Sequence, residues 1–277
     1  MRKFLVSTLL ISILSVFTVI GVGAVTFGQP DGNAHPYVGT LLFKQNNDGF
    51  FSCTGTLLSP TVMLTAGHCV EGGGVVNSET YVRFDENALA GRSNYNSTQD
   101  WLDGDWIAAE QVIPHPQFAD YAQFPNTYDV GIVILPVPVN LPQYGALPSL
   151  GYLDSVLAER GNSTNRFTAV GYGVQGVLRP FAADEYARYQ GSTRLTELNS
   201  TFNGDSQSAK FSNNPGQGNG GPGGSCFGDS GGPIFRSGTN IVTAVVSFGF
   251  TPCIGVDFQF RMDTAVALDF VAPYVGQ

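Results

Sequence analysis

From residue 38 onward, apolar residues come in short runs, several alternating with polar ones, and Gly, Pro, Asn or Asp closes each run. Runs of this kind predict β-strands at 38–43, 50–55, 81–85, 107–113 and 130–135. A second series is predicted at 167–171, 192–198, 233–235, 241–248 and 258–262. Between them, residues 141–151 are rich in Pro and Gly and read as the connector between two β units. Strands at this spacing favour barrels or a sandwich over layers that alternate with helices. One short helix is predicted over 265–271, with Asp263 or Thr264 as its cap. Residues 213–224 carry no apolar period and read as loop. Residues 85–105 read as an exposed excursion whose acids lack the order of a calcium-binding loop.

The first 24 residues stand apart from this pattern. Arg2 and Lys3 precede an apolar stretch over 4–20, and Val22-Gly23-Ala24 offers the small residues a signal peptidase reads. Cleavage after Ala24 is the expectation, which makes the mature protein secreted and extracellular, with no membrane attachment. The competing reading is an uncleaved anchor, because the run is nearly long enough to span a bilayer. Removing 1–24 takes away Arg2 and Lys3 and no acid, so the net charge of −9 becomes −11. A chain this acidic repels nucleic acid and anionic membranes. At 13% charged residues the chain is too poor in Glu and Lys for a coiled coil, and at 43% hydrophobic it is too apolar for disorder.

Four cysteines in an exported chain make disulfides the default, and four allow three pairings. Cys53–Cys69 and Cys226–Cys253 are the expected pairs, since each closes a short loop between neighbouring segments. Loop entropy gives the first about 3 kcal/mol of stabilisation. Asn96, Asn162 and Asn199 open glycosylation acceptor triplets, which read as ordinary polar turns unless the source glycosylates.

The chemistry concentrates in three places. Gly228-Asp229-Ser230-Gly231-Gly232-Pro233 sets a serine among glycines, where a tight turn can expose the hydroxyl and free a backbone N–H to stabilise an oxyanion. The segment also satisfies the looser G-x-S-x-G pattern of α/β-hydrolases, but those need a histidine after the serine. His35, His68 and His115 all precede Ser230, which excludes that class. His35 and His115 each stand before a proline, whereas His68 in Thr65-Ala66-Gly67-His68-Cys69 is held by a neighbouring disulfide. Asp129 opens the apolar strand Val130-Gly131-Ile132-Val133-Ile134-Leu135, where an unpaired carboxylate would be costly, so an imidazole N–H is its natural partner. No His-Glu-x-x-His or other ligand spacing is present, so neither a catalytic metal nor a cofactor is expected.

The segments T-A-G-H-C, the strand opening at Asp129, and C-x-G-D-S-G-G-P from Cys226 to Pro233 resemble the three signatures of the chymotrypsin-like serine peptidases. The likeness runs from about Val25 to the C-terminal helix. It implies an all-β fold of two six-stranded antiparallel barrels with the active site between them and a short C-terminal helix. Residues 25–145 would form the first barrel, carrying His68 and Asp129, and 146–277 the second, carrying Ser230. The resemblance further implies a triad of His68, Asp129 and Ser230, an oxyanion hole from the N–H groups of Gly228 and Ser230, and support of Asp129 by Ser247. Ser247, Phe248 and Gly249 would line the bound substrate.

In this family a new N-terminal ammonium pairs with the acid before the nucleophile, which implies an ion pair between Val25 and Asp229 once the signal is removed. The position that carries an Asp in trypsin-like enzymes is Gly224 here, followed by Ser225. With Gly249, this predicts an open, largely uncharged pocket, against a rival picture built around Asp257. Proteins or peptides are the expected substrates, protein inhibitors the further partners, and a monomer the expected state. A binding module that no longer cuts is the competing function, although the residues for each catalytic role are all present.

Overall fold

In a computed structural model of the chain, the structure describes residues 25–44, 49–72, 75–77, 79, 80–119, 126–158, 166–175, 186–198, 207–213, 223–250 and 252–275. The predicted signal segment, Asn162, Asn199 and most of the loop at 213–224 lie outside these residues.

The chain runs through β1 (Gln29–Pro30), β2 (Val38–Lys44), β3 (Phe50–Leu57), β4 (Val62–Thr65), the one-turn helix α1 (Gly67–Val70), β5 (Glu71–Gly72), β6 (Val75–Val76) and β7 (Thr80–Arg83). Helix α2 (Thr98–Asp105), β8 (Ile107–Ala108), β9 (Gln111–Pro114) and β10 (Gly131–Ile134) follow. The second half holds α3 (Tyr152–Ala158), β11 (Arg166–Gly171), β12 (Tyr189–Glu197), β13 (Ser208–Asn213), β14 (Pro233–Arg236), β15 (Val242–Gly249), β16 (Gly255–Arg261) and α4 (Ala265–Val275).

Two antiparallel sheets result. The C-terminal one has the order β12-β11-β14-β15-β16-β13 and closes through β12–β13 pairing into a six-stranded barrel, with β1 added on the outside of β12. The N-terminal one has the order β8-β7-β2-β3-β4-β10-β9. It is curled rather than closed by pairing among the described residues. Its edge strands β8 and β9 are consecutive in the chain, linked by Ala109 and Glu110 alone. The single strand predicted at 107–113 is therefore two. The Ala109 N–H bonds to Thr80 and the Glu110 N–H to Ile134, which turns the chain from one edge to the other.

Residues 85–105 are not wholly exposed as the sequence predicts. Ser97 caps α2 by accepting from the Asp100 N–H, and the helix buries Trp101 and Leu102 against Leu42 and Trp106. Two indoles need cover from water, and that burial outweighs the polar character of the segment. The C-terminal helix reaches Val275, past Pro273. Its Ala267 and Val271 pack into the core of the N-terminal sheet with Val70, Val130 and Ile132.

The two halves are tied together by a buried ionic cluster. Arg188, fully buried, pairs with Asp31 at 3.0 Å. It also donates to Asn33, the carbonyls of Val38 and Phe84, and the Tyr172 hydroxyl. Removing one partner of such a pair leaves a buried charge uncompensated. Arg188→Met is expected to cost about 3–5 kcal/mol of folding free energy, measured by urea unfolding against the unsubstituted protein.

Candidate active site

Strand β4 delivers the chain to α1, whose first turn carries His68. Cys69 beside it is joined to Cys53 on β3, and Cys226 is joined to Cys253 in the other half. Asp129 sits just before β10, which pairs directly with β4. That pairing sets the carboxylate under the imidazole. Asp129 is 2% exposed and accepts from the His68 backbone N–H at 2.9 Å and from His68 Nδ1, with Oδ2 2.9 Å away. The Ser247 hydroxyl donates to the same Oδ2, reaching across from β15. Because the carboxylate only accepts, Nδ1 carries a proton. Burial alone would push the Asp129 carboxyl up, but His68 and the Ser247 hydroxyl hold it below its ordinary value.

Ser230 stands in a tight turn ahead of β14. Its carbonyl accepts from the Thr54 N–H at 2.8 Å, while the Thr54 hydroxyl donates to the Gly228 carbonyl at 2.9 Å. Gly228 has φ 97° and Gly231 φ 78°. At Gly231 a Cβ would meet Thr65 Oγ1 at 2.1 Å, so only glycine lets the turn lie against β3 and β4. Among the described residues, neither the Gly228 nor the Ser230 backbone N–H has a hydrogen-bond partner.

His68 and Ser230 border one cavity of about 190 Å³, with Ser225, Ser247, Phe248 and Gly249 also on its walls. Phe227 and Phe250, which the sequence reading missed, form an exposed apolar rim. Gly224 is not on the lining. It is buried behind it, where a side chain would run into Asn213 Oδ1.

Nor is the pocket uncharged. Asp257 borders it, with Oδ2 accepting from Asn213 Nδ2 and Ser225 Oγ, each at 2.7 Å, and from the Ser225 N–H. Oδ1 has no donor among the described residues, and the bare Cα of Gly249 leaves the space before it open. Burial pushes the Asp257 carboxyl up to about 6, against the pull of Ser225 and Asn213. The signal for it in the sequence was an acid between Val256 and Phe258, where an unpaired carboxylate would be costly.

Asp229 is buried and accepts only backbone N–H groups, from Gly173 at 2.8 Å and Cys226 at 2.9 Å. Burial, helped by the nearby Asp257, raises its carboxyl to about 7. Val25 does not pair with it in this continuous chain, where its nitrogen is an uncharged amide. Instead Val25 packs against Gly191, and Thr26 bridges to Gly224. The grouping of Cys53, His68 and Cys69 is no metal site, because the two sulfurs are bonded to each other.

The family model described as Trypsin matches residues 25–268. The chain belongs to the trypsin family. As a member it is a serine endopeptidase acting on protein or peptide substrates. No curated protein sequence matches this trypsin-family chain. A solved structure described as HL collagenase is similar to it in fold, at a TM-score of 0.65 and 20% identity, covering 92% of this chain and 98% of that one.

The two raised carboxyls set a pH dependence. Each holds its proton in the folded chain at a pH where the unfolded chain has lost it, so folding is favoured below about pH 4 and loses that contribution as pH rises toward about 7. The uncleaved protein is therefore expected to gain stability at pH 8 on Asp229→Asn substitution and to change little at pH 4, as read from thermal midpoints at both pH values.

Proposed function

We propose that this trypsin-family endopeptidase is secreted and cuts with a triad of Ser230, His68 and Asp129. The observation that carries the reading is the Asp129–His68 pair facing a cavity that Ser230 shares, beside two unpartnered N–H groups. Ser230 Oγ attacks the scissile carbonyl as His68 Nε2 takes its proton. Asp129 stabilises the imidazolium that forms and keeps the ring in the tautomer that carries its proton on Nδ1. The Gly228 and Ser230 N–H groups receive the oxyanion, and a donor of this kind contributes about 3 kcal/mol in serine peptidases. His68 then protonates the departing amine, and water enters by the same route to release the acyl group.

The mature chain begins at Val25. In the continuous chain this β-branched residue is held at φ 62°, a conformation that costs about 1–2 kcal/mol. Cutting before it removes the strain and creates an ammonium. Asp229 is a buried carboxylate with no cation beside it among the described residues, so their pairing orders the turn bearing Gly228 and Ser230. The low charge, two disulfides and acidic surface support an extracellular monomer. No helix among the described residues is long and apolar enough to cross a membrane.

The pocket takes a long basic side chain. Its aliphatic stem lies along Phe248, and its cation meets the unpartnered Oδ1 of Asp257.

Three results are expected. A fluorophosphonate probe labels the secreted protein at Ser230 and fails on Ser230→Ala, while N-terminal sequencing of the labelled form reads Val25. Labelling of a form that starts elsewhere would sink the activation reading alone. Asp257→Ser lowers kcat/KM for substrates cut after Lys or Arg by roughly a hundredfold relative to those cut after Leu. In the unsubstituted enzyme that Arg-to-Leu ratio rises through about pH 6 as Asp257 ionises, and a ratio flat from pH 5 to 8 would remove Asp257 from the specificity site.

A further inference from the structure

A second cavity lies over the face of β2 and β3 that Leu42 and Ser52 share. Leu42, Phe50, Ser52, Leu89, Trp101 and Tyr186 line it, with a volume of about 300 Å³. Its floor is the sheet face where Leu42 on β2 sits opposite Ser52 on β3. Its wall is the 85–105 segment, which brings in Leu89 and the α2 residue Trp101.

The cavity is continuous with the turn that carries the nucleophile. Thr54, Ser52 and Phe50 alternate along β3 and so share one face. Thr54 bonds to the Ser230 carbonyl. Ser52 Oγ lies 3.4 Å from the point where a Cβ on Gly228 would sit. Phe50 is two residues further along, about 7 Å at the rise of a β-strand. An extended peptide whose carbonyl is held at the Gly228 and Ser230 N–H groups, with its acyl side toward the Asp257 pocket, must leave in the direction of Ser52. At the same rise of about 3.3 Å per residue, its third or fourth residue past the cut bond reaches the groove. None of the six lining residues is charged, so an apolar side chain gains from burial there while a charged one gives up its water.

We propose that this groove binds a bulky apolar side chain, aromatic or Leu-like, on the leaving-group side of the polypeptide substrate. The proposal rests on the peptidase reading above and extends it. The enzyme thus selects substrates on both sides of the bond, by charge on one and by apolar bulk on the other.

The test uses the secreted enzyme and quenched-fluorescence peptides that share one acyl side and carry Phe, Leu, Ser or Glu at the third and fourth leaving-group positions. A p-nitroanilide with the same acyl side and no leaving-group residues runs alongside. Phe and Leu peptides are expected to exceed Ser and Glu peptides in kcat/KM by about tenfold or more. Leu89 is 45% exposed on the rim, so it can be changed without opening the core. Leu89→Glu is expected to bring the Phe-to-Ser ratio close to one, and Leu89→Met to preserve it.

Equal rates across the peptides overturn the proposal. So does a Leu89→Glu loss as large on the anilide as on the Phe peptide, or a concentration-dependent dimer that Leu89→Glu dissolves. An enzyme that neither cleaves the anilide nor takes the fluorophosphonate label fails at the peptidase reading itself. One that does both and ignores the leaving-group residues fails only here.

Discussion

A single buried carboxylate holds the site together. Asp129 belongs to the N-terminal sheet, where its backbone leads into β10, and its oxygens accept from His68 of the same sheet and from Ser247 of the other. An ion placed at 2% exposure is tolerable only with its lone pairs occupied. Both sheets must therefore be in register for any of the three to be stable. The need to satisfy one charge thus becomes the constraint that aligns two sheets across a cleft. Thr54 repeats the device with neutral groups, since its amide and hydroxyl both bond to the turn carrying Ser230.

Two further buried acids, Asp229 and Asp257, show how far partners, rather than residue type, decide behaviour. Asp129 faces an imidazole and a hydroxyl and is held low. Asp229 and Asp257 face neutral donors, Asp229 with the Asp257 charge nearby as well, and burial raises them to about 7 and about 6. All three carboxylates pay for burial, but only the first has beside it a group that can become a cation, the His68 imidazole. On the function proposed above, Asp229 would receive its cation from the chain's own terminus and Asp257 from a substrate.

Much of the chemistry was legible in the residues. The order His68, Asp129, Ser230 excluded a rival hydrolase class, and strand-length apolar runs announced an all-β fold. Less legible was anything that depends on which strand lies beside which. The strand at 107–113 read as one because its apolar character is continuous, yet it bends between the two edges of a curled sheet. The segment 85–105 looked polar because its indoles are few, and their burial appears only against Leu42. Gly224 seemed to face the substrate because of its distance from Ser230 along the chain. Asn213, from a neighbouring strand, occupies that space instead.

Side-chain chemistry and period are local properties, so Ser230, His68, Asp129, the four cysteines and the strand character of both halves could be singled out from the residues alone. The tertiary structure alone decided that Asp257 borders the pocket, that Asp229 waits without a cation, and that an aromatic groove continues past Ser52. Each of these depends on contacts between residues tens of positions apart. Such contacts follow from sheet register and core packing, which strand patterns constrain but do not specify.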